Sequence, residues 1–193
     1  MLNDFPKQIK SERLVMRFLQ ESDAARLFRL INENREFIGR HLDWVNNVKT
    51  LADEEKYVKQ RMERIKAKAG FDWTIETKAG DFIGYIGTDP VTVELYEQGL
   101  SIDYENKIVS FAYFMAPKYT GNGYMTEALR ALINIARDLG FRRVQFCPEP
   151  ENKKSIAVMK RCGMQYDSTG DTYFIDLQNS PKSLDSPTQI RNR

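Results

Sequence analysis

Met115-Ala-Pro-Lys-Tyr-Thr-Gly-Asn-Gly-Tyr-Met-Thr-Glu-Ala-Leu129 is the stretch that decides how this chain folds. An apolar run, Ile108 to Met115, leads into it and stops at Pro117, which cannot donate to a continuing ladder. Beyond Gly121 and Gly123 the period changes. Ala128, Leu129, Leu132, Ile133, Ala136 and Leu139 recur at helical spacing, with Glu127, Arg130, Asn134 and Arg137 on the other face and Gly140 as the stop. A strand thus passes through a glycine turn directly into an amphipathic helix, predicted over 126–139. Two glycines let the backbone come close to a ligand and aim successive N–H groups the same way. The unpaired N–H groups and positive dipole end of the helix then favour a phosphate. The same residues also fit a plain strand-to-helix turn that needs glycine for its dihedrals. The stretch lacks the third spaced glycine of a dinucleotide fingerprint and the Gly-Lys-Ser/Thr of a Walker loop.

Downstream, the pattern predicts a strand at Arg143–Cys147, a helix from Asn152 to Cys162 closed by Gly163, and a hairpin turning at Gly170. The segment 108–147 should be a right-handed parallel crossover. Upstream, Leu14–Leu19 reads as a strand, and Ser22 caps a helix that buries Ala24, Leu27, Phe28 and Ile31. Residues 34–49 are irregular. Thr50 and Asp53 form a capping box opening a helix to about Lys68, with Leu51, Tyr57 or Val58, Met62 and Ile65 inward and the basic Arg61–Lys68 stretch as its wet side. From Phe71 the period is two, and Ala79-Gly80-Asp81 turns the chain into Phe82–Ile86; Val91–Tyr96 and Ile108–Met115 should continue an antiparallel meander. The fold class is α+β with a mixed sheet: one domain over 1–179 and a mobile polar tail over 180–193.

A chain of 193 residues can bury ~70% of its unfolded surface and needs no staple. Its 29 basic and 27 acidic residues leave +2, and the tail alone, with Lys182, Arg191 and Arg193 against Asp185, carries that excess. A charge-balanced body argues against nucleic-acid binding. Cys147 and Cys162 make no disulfide framework, and His41, the single histidine, excludes a multi-histidine metal site, so no metal is expected. The opening MLNDFPKQIK has no apolar run to follow it, and Ile108–Ala116 is far shorter than the ~20 residues of a membrane span. A cytoplasmic protein with no membrane partner is the expectation.

Residues 115–144, followed by Pro-Glu-Asn-Lys-Lys-Ser-Ile-Ala-Val-Met-Lys-Arg-Cys-Gly-Met over 150–164, resemble the GNAT N-acetyltransferases, most closely the RimJ/RimL type that acetylates the α-amino termini of ribosomal proteins. The start agrees: residues 13–38 and the Leu42-x-Trp44 that follows resemble that subgroup's opening. The resemblance implies a mostly antiparallel, splayed sheet flanked by helices, with acetyl-CoA as co-substrate in the splay. Gly121, Asn122, Gly123, Tyr124 and Met125 would hold the pyrophosphate, and Phe114, Met115 and Ala116 would flank the pantetheine. Thr120 stands where the family has a basic or amide residue, and Met125 where it has a small one. Asn152 would be both helix cap and pantetheine contact. Ser155 matches the serine near the CoA sulfur and would protonate the leaving thiolate; Met159 takes the place where many relatives carry a tyrosine acid. The backbone N–H near Met115 would stabilise the oxyanion. Ser110 has replaced the glutamate base of this subgroup, with Glu76 and Asp103 as nearby carboxylates. His41, Ser110 and Trp44 fall on the acceptor side, where Tyr113 and Phe114 could also wall the slot.

The acceptor implied is an amine, first a ribosomal or other protein N-terminus attacking directly in a ternary complex. A small-molecule amine and a CoA-binding module without turnover are the alternatives. A homodimer is expected from family habit alone.

Overall fold

The computed structural model describes residues 4–178 and 189–191. Its strands are β1 (Gln8–Lys10), β2 (Leu14–Phe18), β3 (Asp72–Thr77), β4 (Phe82–Asp89), β5 (Ile102–Asp103), β6 (Ile108–Met115), β7 (Arg143–Phe146), β8 (Gln165–Asp167), β9 (Thr172–Asp176) and β10 (Gln189–Arg191). They form one sheet in the order β10-β1-β2-β3-β4-β6-β7-β9-β8, with β5 continuing the β4 edge of β6. Every pairing is antiparallel except β6 with β7. That parallel pair is joined through a helix, as the strand–helix–strand pattern requires. Of the tail expected over 180–193, Gln189–Arg191 pair with β1, and the remainder lies outside the described residues.

Helices α1 (Ala24–Glu33), α2 (Arg35–Gly39) and α3 (Leu51–Lys66) supply one buried cluster, in which Leu27, Leu30, Ile31, Ile38 and Val58 meet Tyr85 and Phe114 of the sheet. Helices α5 (Tyr124–Asp138) and α6 (Lys153–Arg161) supply the larger cluster, with Leu129, Leu132 and Ile133 against Trp73, Ile86 and Phe111. Each such side chain removed from water contributes ~1.5–3 kcal/mol, so α5 is held by its face and not by its propensity. Thr50 caps α3 with the capping box its sequence spells, while Leu51 beside it stays exposed.

Three single-residue expectations are corrected: Leu51, expected inward, is exposed, Glu127, expected outward, is buried, and Asp23 rather than Ser22 is the N-cap residue of α1. Two larger differences lie in residues 91–96 and at Arg61. Residues 91–96 do not extend the meander. Thr92 Oγ1 accepts from the Leu95 N–H at 3.2 Å and caps a short α4 (Val93–Glu97), whose Val93 and Tyr96 face solvent. Local capping wins there because β4 ends at Asp89 and leaves 91–96 no strand to pair with. Arg61, placed on the wet side of α3, is instead drawn inward. Its guanidinium binds the fully buried Asp72 at 2.7 Å, because that carboxylate needs a counter-charge out of water.

Candidate active site

β6 and β7 pair only at Ile108–Arg143, Val109–Val144 and Ser110–Gln145. β7 ends at Phe146 while β6 continues to Met115, so the sheet opens between them. The opening is a cavity of about 570 Å³, lined by Tyr113, Phe114 and Met115 of β6, by Tyr119–Gly121 and Gly123–Thr126 of the turn, and by Asn152, Ser155 and Val158. That volume suits a cofactor-sized ligand. The Ala116 N–H donates to Ile83 O, and antiparallel bonds alternate along a strand. The N–H groups of Tyr113 and Met115 therefore face away from β4, into the opening, where a donor to a developing oxyanion would be needed.

The turn ends the cavity on α5. Gly121 and Gly123 both sit in the left-handed region, at φ +82° and +80°. Gly123 is the N-cap residue and brings no side chain to cap the first turn, so the leading N–H groups of α5 stay available to an anion. Thr120 is committed to the turn, its hydroxyl donating to Pro117 O at 2.8 Å. Met125 is only 6% exposed, packed into the larger core cluster with an edge on the cavity, so its bulk leaves the turn uncrowded. Met125→Ala should therefore cost ~2–4 kcal/mol of stability in a urea titration and give no tighter CoA binding.

On α6 the Asn152 Oδ1 accepts from the Ser155 N–H at 3.1 Å, so Asn152 is the helix cap and also lines the cavity. Ser155 faces Tyr113. The Tyr113 hydroxyl is buried with no hydrogen bond closed in the protein; burial pushes its pKa up to about 12, with Ser155 pulling the other way. It therefore keeps its proton at neutral pH, buried beside Ser155. Met159 is buried.

His41 lines the cavity and its Nδ1 meets Glu149 Oε2 at 2.9 Å, so the α2 side and the β7–α6 loop touch across the mouth. Lys154 Nζ over the Phe37 ring at 4.9 Å makes a second such contact. Trp44, Ser110, Ala116 and Asn122 are not brought to the cavity wall. Trp44 packs behind it on Phe114, with ring centres 5.6 Å apart. Ser110 is buried between Asp89 and Gln145, where the strands still pair. Glu76 is held by Arg17 and Arg26, and Asp103 by Asn106, so neither carboxylate reaches the opening. Among the described residues no group of three His, Cys, Asp or Glu could hold a metal ion, and no helix is long and apolar enough to cross a membrane.

Sequence reading named His41 and Leu42 but missed Phe37 and Ile38 of α2 and Arg40 just after it, because residues 34–49 show no period to read. It also gave no role to Arg13, which lies more than a hundred residues from the turn it touches.

A family model described as acetyltransferase (GNAT) domain matches residues 13–165. The uncharacterized YkkB of Bacillus subtilis is 26% identical over 168 residues, 84% of this chain and 87% of its own. Among solved structures, a Mycobacterium smegmatis RimJ in complex with CoA-disulfide superposes with TM-score 0.78 at 17% identity, covering 93% of this chain and 91% of that one. The RimL acetyltransferase of ribosomal L7/L12, in complex with coenzyme A, gives 0.75 at 20% identity, covering 86% and 95%. At such identities these structures show a shared fold.

Proposed function

The chain belongs to the GNAT acetyltransferase family, and on that premise we propose that it moves an acetyl group from acetyl-CoA to the α-amino terminus of a protein or peptide. The observation that carries this reading is the opening between β6 and β7, which ends on the uncapped, glycine-led start of α5. The leading N–H groups of α5 would hold the pyrophosphate. The amine attacks the thioester carbonyl, and the C–N bond forms as the C–S bond breaks. The proton that the nitrogen sheds on becoming an amide ends on the departing thiolate, so Ser155 and Tyr113 relay a proton and are left neutral. The Met115 N–H stabilises the charge that develops on the carbonyl oxygen. Ser155, with the Tyr113 hydroxyl facing it, returns a proton to the thiolate. An α-amine with its ordinary pKa near ~8 supplies its own neutral fraction at neutral pH, so Ser110 need not act as a base. The RimL and RimJ likeness supports a ribosomal or other protein N-terminus as the acceptor.

Calorimetric titration with acetyl-CoA and desulfo-CoA, followed by mass spectrometry of peptides with free and blocked N-termini, tests the reading. Both ligands should bind, and only free N-termini should gain an acetyl group. Absent binding would overturn the whole reading, and transfer confined to small amines would overturn the acceptor. Ser155→Ala should lower turnover about a hundredfold with little change in acetyl-CoA affinity; unchanged turnover would remove Ser155 from the mechanism.

A further inference from the structure

We infer that Arg13 is a positioning residue for the pyrophosphate end of the site, holding the Gly121–Gly123 turn from behind and cancelling a carboxylate that would repel the ligand. The inference rests on the proposed binding of CoA at the start of α5.

Glu127 lies in the first turn of α5 and is only 9% exposed. A buried anion there opposes the dipole end that must receive a second anion. Arg13 answers it twice, through its backbone N–H to Glu127 Oε1 and its Nε to Oε2, each at 2.7 Å, and Ser11 Oγ adds a third bond at 2.7 Å. Burial would raise the Glu127 pKa, yet Ser11 and Arg13 hold it below its ordinary value, so the carboxylate is ionised and its charge is balanced by Arg13. The same guanidinium donates from Nη1 to Asn122 O at 2.9 Å and lies 4.5 Å from the centre of the Tyr124 ring. One side chain thus ties the middle of the turn, the first residue of α5 and the carboxylate one turn further on. Thr120 brings no charge to the turn, so Arg13 is the cation that fixes it.

The test compares CoA, read by calorimetry, with S-acetylpantetheine, which lacks the pyrophosphate, read by NMR titration. Arg13→Met should raise the Kd for CoA about tenfold and leave that for S-acetylpantetheine unchanged, with an unaltered circular dichroism spectrum. Arg13→Lys keeps the charge beside Glu127 and folds even if Arg13→Met does not; it lacks the fork that also reaches Asn122, so its Kd for CoA should fall between the two. Equal weakening of both ligands would make Arg13 a general support of the fold and overturn the inference, as would unchanged CoA binding in both variants. The wild-type titration reads the proposed function, and the ratio of variant to wild type reads the role of Arg13.

Discussion

Gly123→Val is expected to abolish measurable acetyl-CoA binding in a fold that stays intact. The residue sits at φ +80°, where a β-branched side chain is strained by ~1–3 kcal/mol. Its Cβ would also stand 3.4 Å from Arg13 Nη2, so the side chain would press on the group that fixes the turn. Relief comes by rotating the 122–123 peptide out of the left-handed region. That rotation breaks the Arg13 bond to Asn122 O and turns the leading N–H groups of α5 away from the cavity. Losing both effects should weaken binding at least about a hundredfold, about 3 kcal/mol. Gly121→Val separates the causes: its φ is +82°, but an added Cβ meets nothing within 4 Å, so only strain is imposed and the loss should be smaller. Gly123→Asn should keep most of the affinity, since asparagine tolerates the left-handed conformation. Calorimetry on the three variants orders them, and intact affinity in Gly123→Val would move the phosphate site elsewhere.

The parts legible in the sequence are those whose signal is local. Gly121, Gly123 and the apolar period of α5 announce the strand–turn–helix unit, and Thr50 with Asp53 marks the start of α3. What the sequence hid depends on partners far along the chain. Val91–Tyr96 has strand-like composition, but composition cannot say that β4 stops at Asp89 and that Thr92 will cap a helix instead. Arg61 reads as one more charge in a basic run until Asp72, on another element, is found fully buried opposite it. Ser110 takes the family's glutamate position, yet the site opens only after β7 has separated from β6, so a residue still inside the paired stretch is sealed in the sheet. Arg13 carries the same lesson: its bonds to Glu127 and Asn122 are made by the fold, and no spacing of residues could reveal them.

Glu54→Gln should stabilise the protein at alkaline pH and flatten its stability profile. Glu54 is 1% exposed on the inner side of α3, and its Oε2 has no hydrogen-bond partner. Burial alone lifts its pKa from 4.5 to about 7. A carboxyl raised in the folded state holds its proton there while the unfolded chain has already lost it. Between pH 4.5 and about 7 the native state thus binds more protons, and stability falls as pH rises through that window. Below it both states are protonated, and above it both are ionised, so the profile is level on either side. Integrated, the fall is about 3 kcal/mol. Burial also raises Asp72 and Asp89, which bend the profile the same way in wild type and variant, so the difference between the two proteins isolates Glu54. Urea denaturation at pH 4 and pH 8 should show near-equal stability at the lower pH and a variant up to about 3 kcal/mol more stable at the higher one. Parallel profiles would mean that the carboxylate finds solvent or a partner on ionising. The position matters for the site because Tyr57, on the same helix, stacks on Trp44, which backs the Phe114 wall of the cavity. A variant that relieves the buried charge should therefore also slow opening of that wall at pH 8, seen as stronger hydrogen-exchange protection along α3.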